Sequence, residues 1–182
     1  MAGRRHPDLW VDPEDDPREG GPRLADERTT LVEFIRFQRL TLELKCEGLD
    51  AEQLARRSVE PSTMSLLGLV RHMAEVERSW FRRRMAGLDA PRLYSSRPGE
   101  DGDWNGAIAD DAVVADAWAR WREECAFTDQ FVREAPDLEF EGSSGEERFS
   151  LREVLVHMVE EYARHNGHAD LLRERIDGRT GE

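Results

Sequence analysis

The chain has 182 residues, with 26 basic and 39 acidic side chains and a formal net charge of −13 at pH 7. This length suits one domain with a hydrophobic core of its own. The acidic balance argues against binding to nucleic acid or to anionic membranes, because both need a basic surface. No apolar stretch approaches the roughly 20 residues of a membrane-spanning helix, and the N-terminus lacks a signal-peptide core. We therefore expect a soluble, cytoplasmic protein.

Residues 1–24 are predicted to form an extended N-terminal arm. They contain four prolines and an acidic run from Asp12 to Asp16. Such a composition buries too little apolar area to offset the conformational entropy that is lost on ordering. The remaining residues, 25–182, are expected to form the folded domain.

Four long amphipathic helices are expected in residues 25–182. They cover about residues 29–46, 62–86, 110–133 and 150–177. Capping residues support these bounds, since Ser62 or Ser65 precedes the second helix and the sequence starting at Ser150 matches a capping box. The polar and apolar alternation at 139–141 is too short to found a sheet. These features predict an all-α fold, a four-helix bundle with a long crossover between helices 2 and 3.

The crossover between helices 2 and 3, residues 91–111, is expected to lack regular structure. It is polar and is interrupted by prolines and glycines, and its length favours a functional loop. Trp104 is its conspicuous apolar residue. Two interpretations of Trp104 stay open here: a lid over a site, or a hydrophobic anchor that pins the loop.

The last helix contains three polar residues where its spacing predicts buried positions. At the alternation of three and four residues typical of a packed helix face, the predicted seam contains Leu151, Val154, Met158, Glu161, His165, His168 and Leu172. Burying such polar groups without partners costs several kcal/mol. A metal ion is the simplest compensation, because Glu161 and His165 are one helical turn apart on one face.

A third ligand has to come from another helix, and His72 on helix two is the candidate. His72, Glu161 and His165 would form a three-ligand site that leaves one coordination position for water or substrate. Two imidazoles and a carboxylate suit zinc, our first choice of divalent metal, and also nickel, iron or manganese. His168 is a possible acid or base, or a partner that orients a ligand, and His157 is an alternative ligand.

Other polar residues are expected to be ordinary. Glu75 and Glu77 on helix two are predicted to be solvated or to pair with nearby arginines. Cys46 and Cys125 show no CxxC spacing, so we expect semi-buried thiols without a redox or nucleophilic role.

Three segments resemble the DinB superfamily, in particular uncharacterised bacterial proteins close to the mycothiol-dependent isomerases and transferases. They are ADERTTL at 25–31, SLLGLVRHMAEVERSWF at 65–81 and EEYARHNGHADLLR at 160–173. The resemblance covers about residues 25–182 and implies a four-helix bundle with a metal held by His72, Glu161 and His165. Many relatives have histidine at the position of Glu161, whereas the mycothiol-dependent maleylpyruvate isomerases are similar to this chain in having glutamate. Where many relatives read His-Arg-Gly-Gln, this chain reads His-Asn-Gly-His, ending at His168.

The resemblance implies a metal-dependent thiol S-transferase that joins a small-molecule thiol, mycothiol, to an electrophilic substrate. A metal-dependent hydrolase is an alternative. A non-catalytic stress-response module is a third possibility, and it predicts a metal site closed by His168 or His157 as fourth ligand. The family often pairs, and surplus aromatic residues such as Trp80 and Phe81 favour a homodimer.

Overall fold

The structure, a computed structural model, describes residues 8–95 and 101–181. Its helices are α1 (Glu27–Cys46), α2 (Ala51–Ala55), α3 (Leu66–Glu77), α4 (Gly102–Asn105), α5 (Asp111–Glu134) and α6 (Leu151–Asp177), with a π-helical segment at Arg78–Met85. The two strands are β1 (Glu141–Ser144) and β2 (Glu147–Ser150). The four long helical stretches confirm the predicted all-α class. Among the described residues, no helix is long and apolar enough to cross a membrane.

Side-chain caps fix where the long helices begin. Ser65 accepts a hydrogen bond from the backbone N–H of Gly68 at 3.1 Å, so helix α3 begins after Ser65 and not after Ser62. Ser150 caps α6 in the same way, and Gly178 ends that helix with a φ of 77°. These caps satisfy backbone donors and acceptors that would otherwise be unpaired at the helix ends.

The bundle forms because α1 packs on α6 and α3 packs on α5. Leucine, valine and methionine side chains of these helices fill the core, together with aromatic residues. Phe81 is one of these core residues and is fully buried, so it is not available for the dimer contact that we predicted for it. The homodimer itself stays a prediction.

The sequence had predicted that helix α3 continues as a regular α-helix to Gly87, and this prediction was wrong. It changes to the π-helical segment at Arg78, and the segment closes with a hydrogen bond of 2.9 Å from the Ala86 N–H to the Phe81 carbonyl. Such wide turns are rare and often occur near functional sites.

The prediction that no sheet forms was wrong. Strands β1 and β2 pair antiparallel, with Ser144 opposite Glu147, so a two-residue loop joins them. Gly145 is the first residue of that loop and has a φ of 62°, a value that two-residue hairpin loops favour and that glycine adopts without strain. The hairpin leads directly into α6.

The N-terminal segment from residue 8 to residue 25 forms turns without a regular helix or strand. Trp10 is only 1% exposed, although we had predicted that this segment buries little apolar area. Cationic groups surround its ring, with Lys45 Nζ 4.0 Å and the Arg179 guanidinium carbon 3.8 Å from the ring centroid. Such contacts between a cation and an aromatic face are favourable.

Candidate metal centre

Helices α3 and α6 bring three potential metal ligands together. One ligand atom from each of His72, Glu161 and His165 lies within 4.8 Å of the others. His72 comes from α3, whereas Glu161 and His165 are four residues apart on α6 and so lie on the same side of that helix. These are the three residues that the sequence predicted to meet.

The three side chains lie at the edge of the core and not on its buried seam. They are 25% exposed for His72, 26% for Glu161 and 11% for His165. The fully buried line of α6 instead contains Leu151, Val154, Leu155, Met158, Tyr162, Ala169 and Leu172. The predicted seam was therefore wrong at Glu161, His165 and His168 and right at Leu172. After Met158 the buried line continues at Tyr162, four residues on, so Glu161 lies on the adjacent, partly exposed side of the helix.

Short helix α4, inside the long crossover, supplies two further residues to this place. Asp103 Oδ2 lies 2.8 Å from His72 Nδ1, and the Trp104 ring stacks on the His72 ring with centroids 5.1 Å apart. The prediction of a crossover without regular structure was therefore wrong at residues 102–105, and residues 96–100 lie outside the described residues. Trp104 both anchors the turn and covers one face of His72.

The electrostatics of the site keep His165 available as an uncharged ligand. Burial, together with the neighbouring His72 and His168 rings, lowers the pKa of His165 to about 4. Burial alone would raise the pKa of Asp103, but the hydrogen bond from His72, a backbone hydrogen bond and the charges of His72 and Arg71 outweigh it, so this pKa lies below its usual value. Asp103 is therefore a carboxylate at neutral pH, and His165 is an uncharged imidazole.

The two other predicted histidines contact the ligands without joining them. His168 Nδ1 lies 3.5 Å from His165 Nδ1, and His157 Nε2 lies 3.1 Å from Glu161 Oε1. Within the part of the chain that the structure describes, the one group with metal-binding geometry contains neither of them. Whether His168 or His157 closes the site as a fourth ligand stays a prediction.

Glu77, which we expected to be solvated, is fully buried. It accepts hydrogen bonds from Arg39 Nε at 2.9 Å, from the Tyr162 hydroxyl at 2.8 Å and from the Thr128 hydroxyl at 2.6 Å. The buried Arg39, on α1, is the partner that makes this burial possible. The expectation failed because sequence spacing along α3 carries no information about a cation on another helix.

The donor set fits a divalent transition metal. Two imidazoles and one carboxylate are ligands that zinc accepts, and three protein ligands leave a position open. The Asp103 contact to His72 adds the carboxylate partner that metal-binding histidines usually have on their second nitrogen. The structure thus contains a possible three-residue metal-binding group whose chemistry is consistent with the predicted cation.

A helical bundle with one such histidine on the second long helix, and a glutamate and a histidine four residues apart on the last, defines a DinB-like protein. The family model described as mycothiol-S-transferase matches residues 30–178, and the chain belongs to this family. None of the curated proteins matches the chain.

A solved structure is similar in fold. It is described as the crystal structure of the conserved protein of locus from Enterococcus faecalis. The TM-score is 0.60 with 14% sequence identity, and the match covers 85% of this chain and 99% of that chain. At this level of identity the similarity supports the fold alone.

Proposed function

We propose that this protein is a metal-dependent mycothiol S-transferase whose cation is held by His72, Glu161 and His165. The observation that carries the proposal is the convergence of these ligand atoms within 4.8 Å, in a chain that belongs to the mycothiol-S-transferase family. Zinc is the proposed cation, because it accepts both imidazole and carboxylate ligands and tolerates an open position.

A divalent cation bound there would lower the pKa of a thiol, so that a reactive thiolate is present at neutral pH. The residues of the chain hold and orient that cation. His165 stays uncharged because its pKa is about 4, and Glu161 supplies a negative charge that partly offsets the charge of the cation. His168 contacts His165 through their Nδ1 atoms, which favours a role in orienting that ring over a role as acid or base.

The nucleophilic thiol is proposed to come from outside the chain. Burial raises the pKa of Cys46 to about 12 and, with the nearby charge of Glu77, raises that of Cys125 well above its usual value. Neither side chain therefore provides a thiolate at neutral pH. A protein without a reactive cysteine of its own suits a reaction that uses a low-molecular-weight thiol as cosubstrate. In that reaction the sulfur forms a bond to an electrophilic carbon, whose leaving group departs with the bonding electrons.

The test is conjugation of mycothiol to monochlorobimane, followed by fluorescence, with protein that has been stripped of metal and reloaded with zinc. We expect turnover to need both zinc and mycothiol, and we expect Glu161→Gln to lose most of it. The matched control is Glu160→Gln, because Glu160 is the exposed neighbour of Glu161 on the same helix. Turnover that is independent of zinc, or that is equal in both variants, would contradict the proposal. Zinc-dependent hydrolysis of an ester without thiol would instead support the hydrolase.

A further inference from the structure

Two consecutive residues of α3 attach the crossover to the candidate metal centre. Arg71 Nε donates to the Asp103 carbonyl and Arg71 Nη2 donates to the Gly102 carbonyl, both at 2.9 Å. The adjacent His72 contacts the Asp103 carboxylate at 2.8 Å. We call residues 101–106 the docked turn. Its backbone and its side chains are therefore held by neighbouring residues of one helix.

Two glycines allow the docked turn to approach α3 this closely. A Cβ at Gly68 would lie 2.6 Å from Cε3 of Trp104, and a Cβ at Gly106 would lie 2.5 Å from Nη2 of Arg71. Any larger side chain at these positions would push the turn away from the helix. The close approach places Trp104 against the His72 ring, where it restricts rotation of that ring.

The hydrogen bond between His72 and Asp103 also fixes which nitrogen of His72 faces the cation site. A carboxylate can only accept a hydrogen bond, so His72 Nδ1 carries the hydrogen and donates it to Asp103. The lone pair of a neutral imidazole is then on Nε2. Nε2 is thereby left to act as the ligand atom alongside Glu161 and His165.

We infer that Asp103 is a positioning residue, which holds His72 in the ring orientation and tautomer that bind a cation. Arg71 keeps Asp103 in place by binding the backbone of the docked turn. This inference rests on the proposed function, because it needs a cation at the three ligands. It extends the site from helices α3 and α6 to the crossover. Asp103 is not a member of the group with metal-binding geometry in the described residues, so its effect passes through His72.

The experiment measures the zinc affinity of the purified full chain by competition with a chromophoric chelator. We expect Asp103→Ala to bind zinc about 10- to 100-fold more weakly, the range typical for loss of a partner that orients a ligand. Asp103→Asn keeps an acceptor oxygen, so we expect a smaller loss. Asp101→Ala is the matched control in the same turn, because the Asp101 side chain makes no capping hydrogen bond. Equal affinity of wild type, Asp103→Ala and Asp101→Ala would overturn the inference.

Arg71 provides a second, independent test. Arg71→Ala should weaken zinc binding in the same direction, since it releases the carbonyls of the docked turn. If Arg71 acts only by delivering Asp103, the double variant should bind zinc no more weakly than Asp103→Ala alone. Strictly additive losses would overturn the role of the docked turn.

The tautomer of His72 distinguishes positioning from a merely structural role. In metal-free protein, NMR of the imidazole nitrogens should find hydrogen on Nδ1 of His72 in the wild type and a mixture of tautomers in Asp103→Ala. An unchanged tautomer would overturn the inference. If the wild type bound no zinc at all, the proposed function would fail, whereas the NMR result would still decide whether Asp103 controls the His72 ring.

Discussion

Helices α3 and α6 contribute to two polar clusters, and the two differ in whether a guanidinium of the fold pairs with the carboxylate. We call Glu77, Tyr162, Arg39 and Thr128 the closed cluster, and His72, Glu161 and His165 the open cluster. In the closed cluster both Glu77 oxygens accept hydrogen bonds, and every member is buried. In the open cluster one ligand atom from each residue lies within 4.8 Å of the others, and the side chains are partly exposed.

The comparison shows that a buried carboxylate is not in itself the mark of a functional site. Glu77 is more deeply buried than Glu161, but its charge is compensated by Arg39 within the fold. Glu161 lies beside the imidazoles of His157 and His165, and no guanidinium pairs with it in the described residues. A carboxylate that pairs with a guanidinium inside the fold indicates a stabilising role, whereas ligand atoms within 4.8 Å of one another on partly exposed side chains indicate a ligand site.

The largest expected effect is loss of stability when the closed cluster is broken. Glu77→Ala removes the buried partner of Arg39 and leaves it only Asp129, whose side chain is half exposed. We therefore expect the free energy of unfolding to fall by about 3 kcal/mol, the lower end of the range for a broken buried ion pair. Urea unfolding followed by circular dichroism measures this. Glu123→Ala is the control, because Glu123 forms an exposed ion pair with Arg82, and such pairs contribute little. A small loss for Glu77→Ala, similar to that of the control, would remove the distinction between the clusters.

A smaller effect is expected from adding a methyl group beneath Trp104. Gly68→Ala would place a Cβ 2.6 Å from the indole ring, so we expect a loss of about 1–3 kcal/mol from overpacking together with weaker zinc binding. The control is Gly167→Ala on α6, where an added Cβ would meet no heavy atom of the described residues within 4 Å. There we expect a gain of about 0.5–1 kcal/mol, because alanine favours a helix interior. Chemical denaturation and chelator competition measure both variants. Zinc affinity that is unchanged in Gly68→Ala would show that the open cluster does not depend on Trp104.

The smallest effect is expected when the native protein is treated with thiol reagents, because its two cysteines should hardly react. Because burial raises the pKa of Cys46 to about 12 and that of Cys125 well above its usual value, both thiols should stay protonated at pH 8. A colorimetric disulfide reagent should find no fast-reacting thiol in the native protein and two after unfolding, the number in the sequence. A fast-reacting native thiol would weaken the proposal that the nucleophile comes from outside.

The same pKa shift predicts how stability depends on pH. An unfolded thiol ionises near the ordinary value of 9.0, whereas Cys46 in the fold ionises near 12. The folded state thus holds its proton more tightly. This contribution to stability is complete below pH 9 and is lost as the pH rises towards 12.

Local sequence signals were enough to predict the four long helices and to place Glu161 and His165 on the same side of α6. Ser65 and Ser150 are capping residues, and Glu161 and His165 have helical spacing, so each is readable from neighbouring residues. The hairpin was missed because its strands have only four residues each and their pairing depends on Gly145. The exact buried face of α6 was missed because helices turn by 3.6 residues and the seam shifts along a long helix.

Two contacts between distant segments could not be predicted from local spacing. Asp103 is one of several acids in the crossover, and nothing in its spacing from His72 reveals their contact at 2.8 Å. The pairing of Glu77 with Arg39 is hidden in the same way, because the two residues are 38 positions apart. Such contacts depend on how the helices pack, and the spacing of residues along the sequence does not reveal that packing.

The most direct test of the central claim is anomalous diffraction at the zinc absorption edge, using crystals grown with zinc. We predict one strong peak between α3 and α6, about 2.0–2.2 Å from a nitrogen of His72, a nitrogen of His165 and an oxygen of Glu161. Zinc bound elsewhere with these three side chains vacant, or a site that lacks any one of them, would contradict the account.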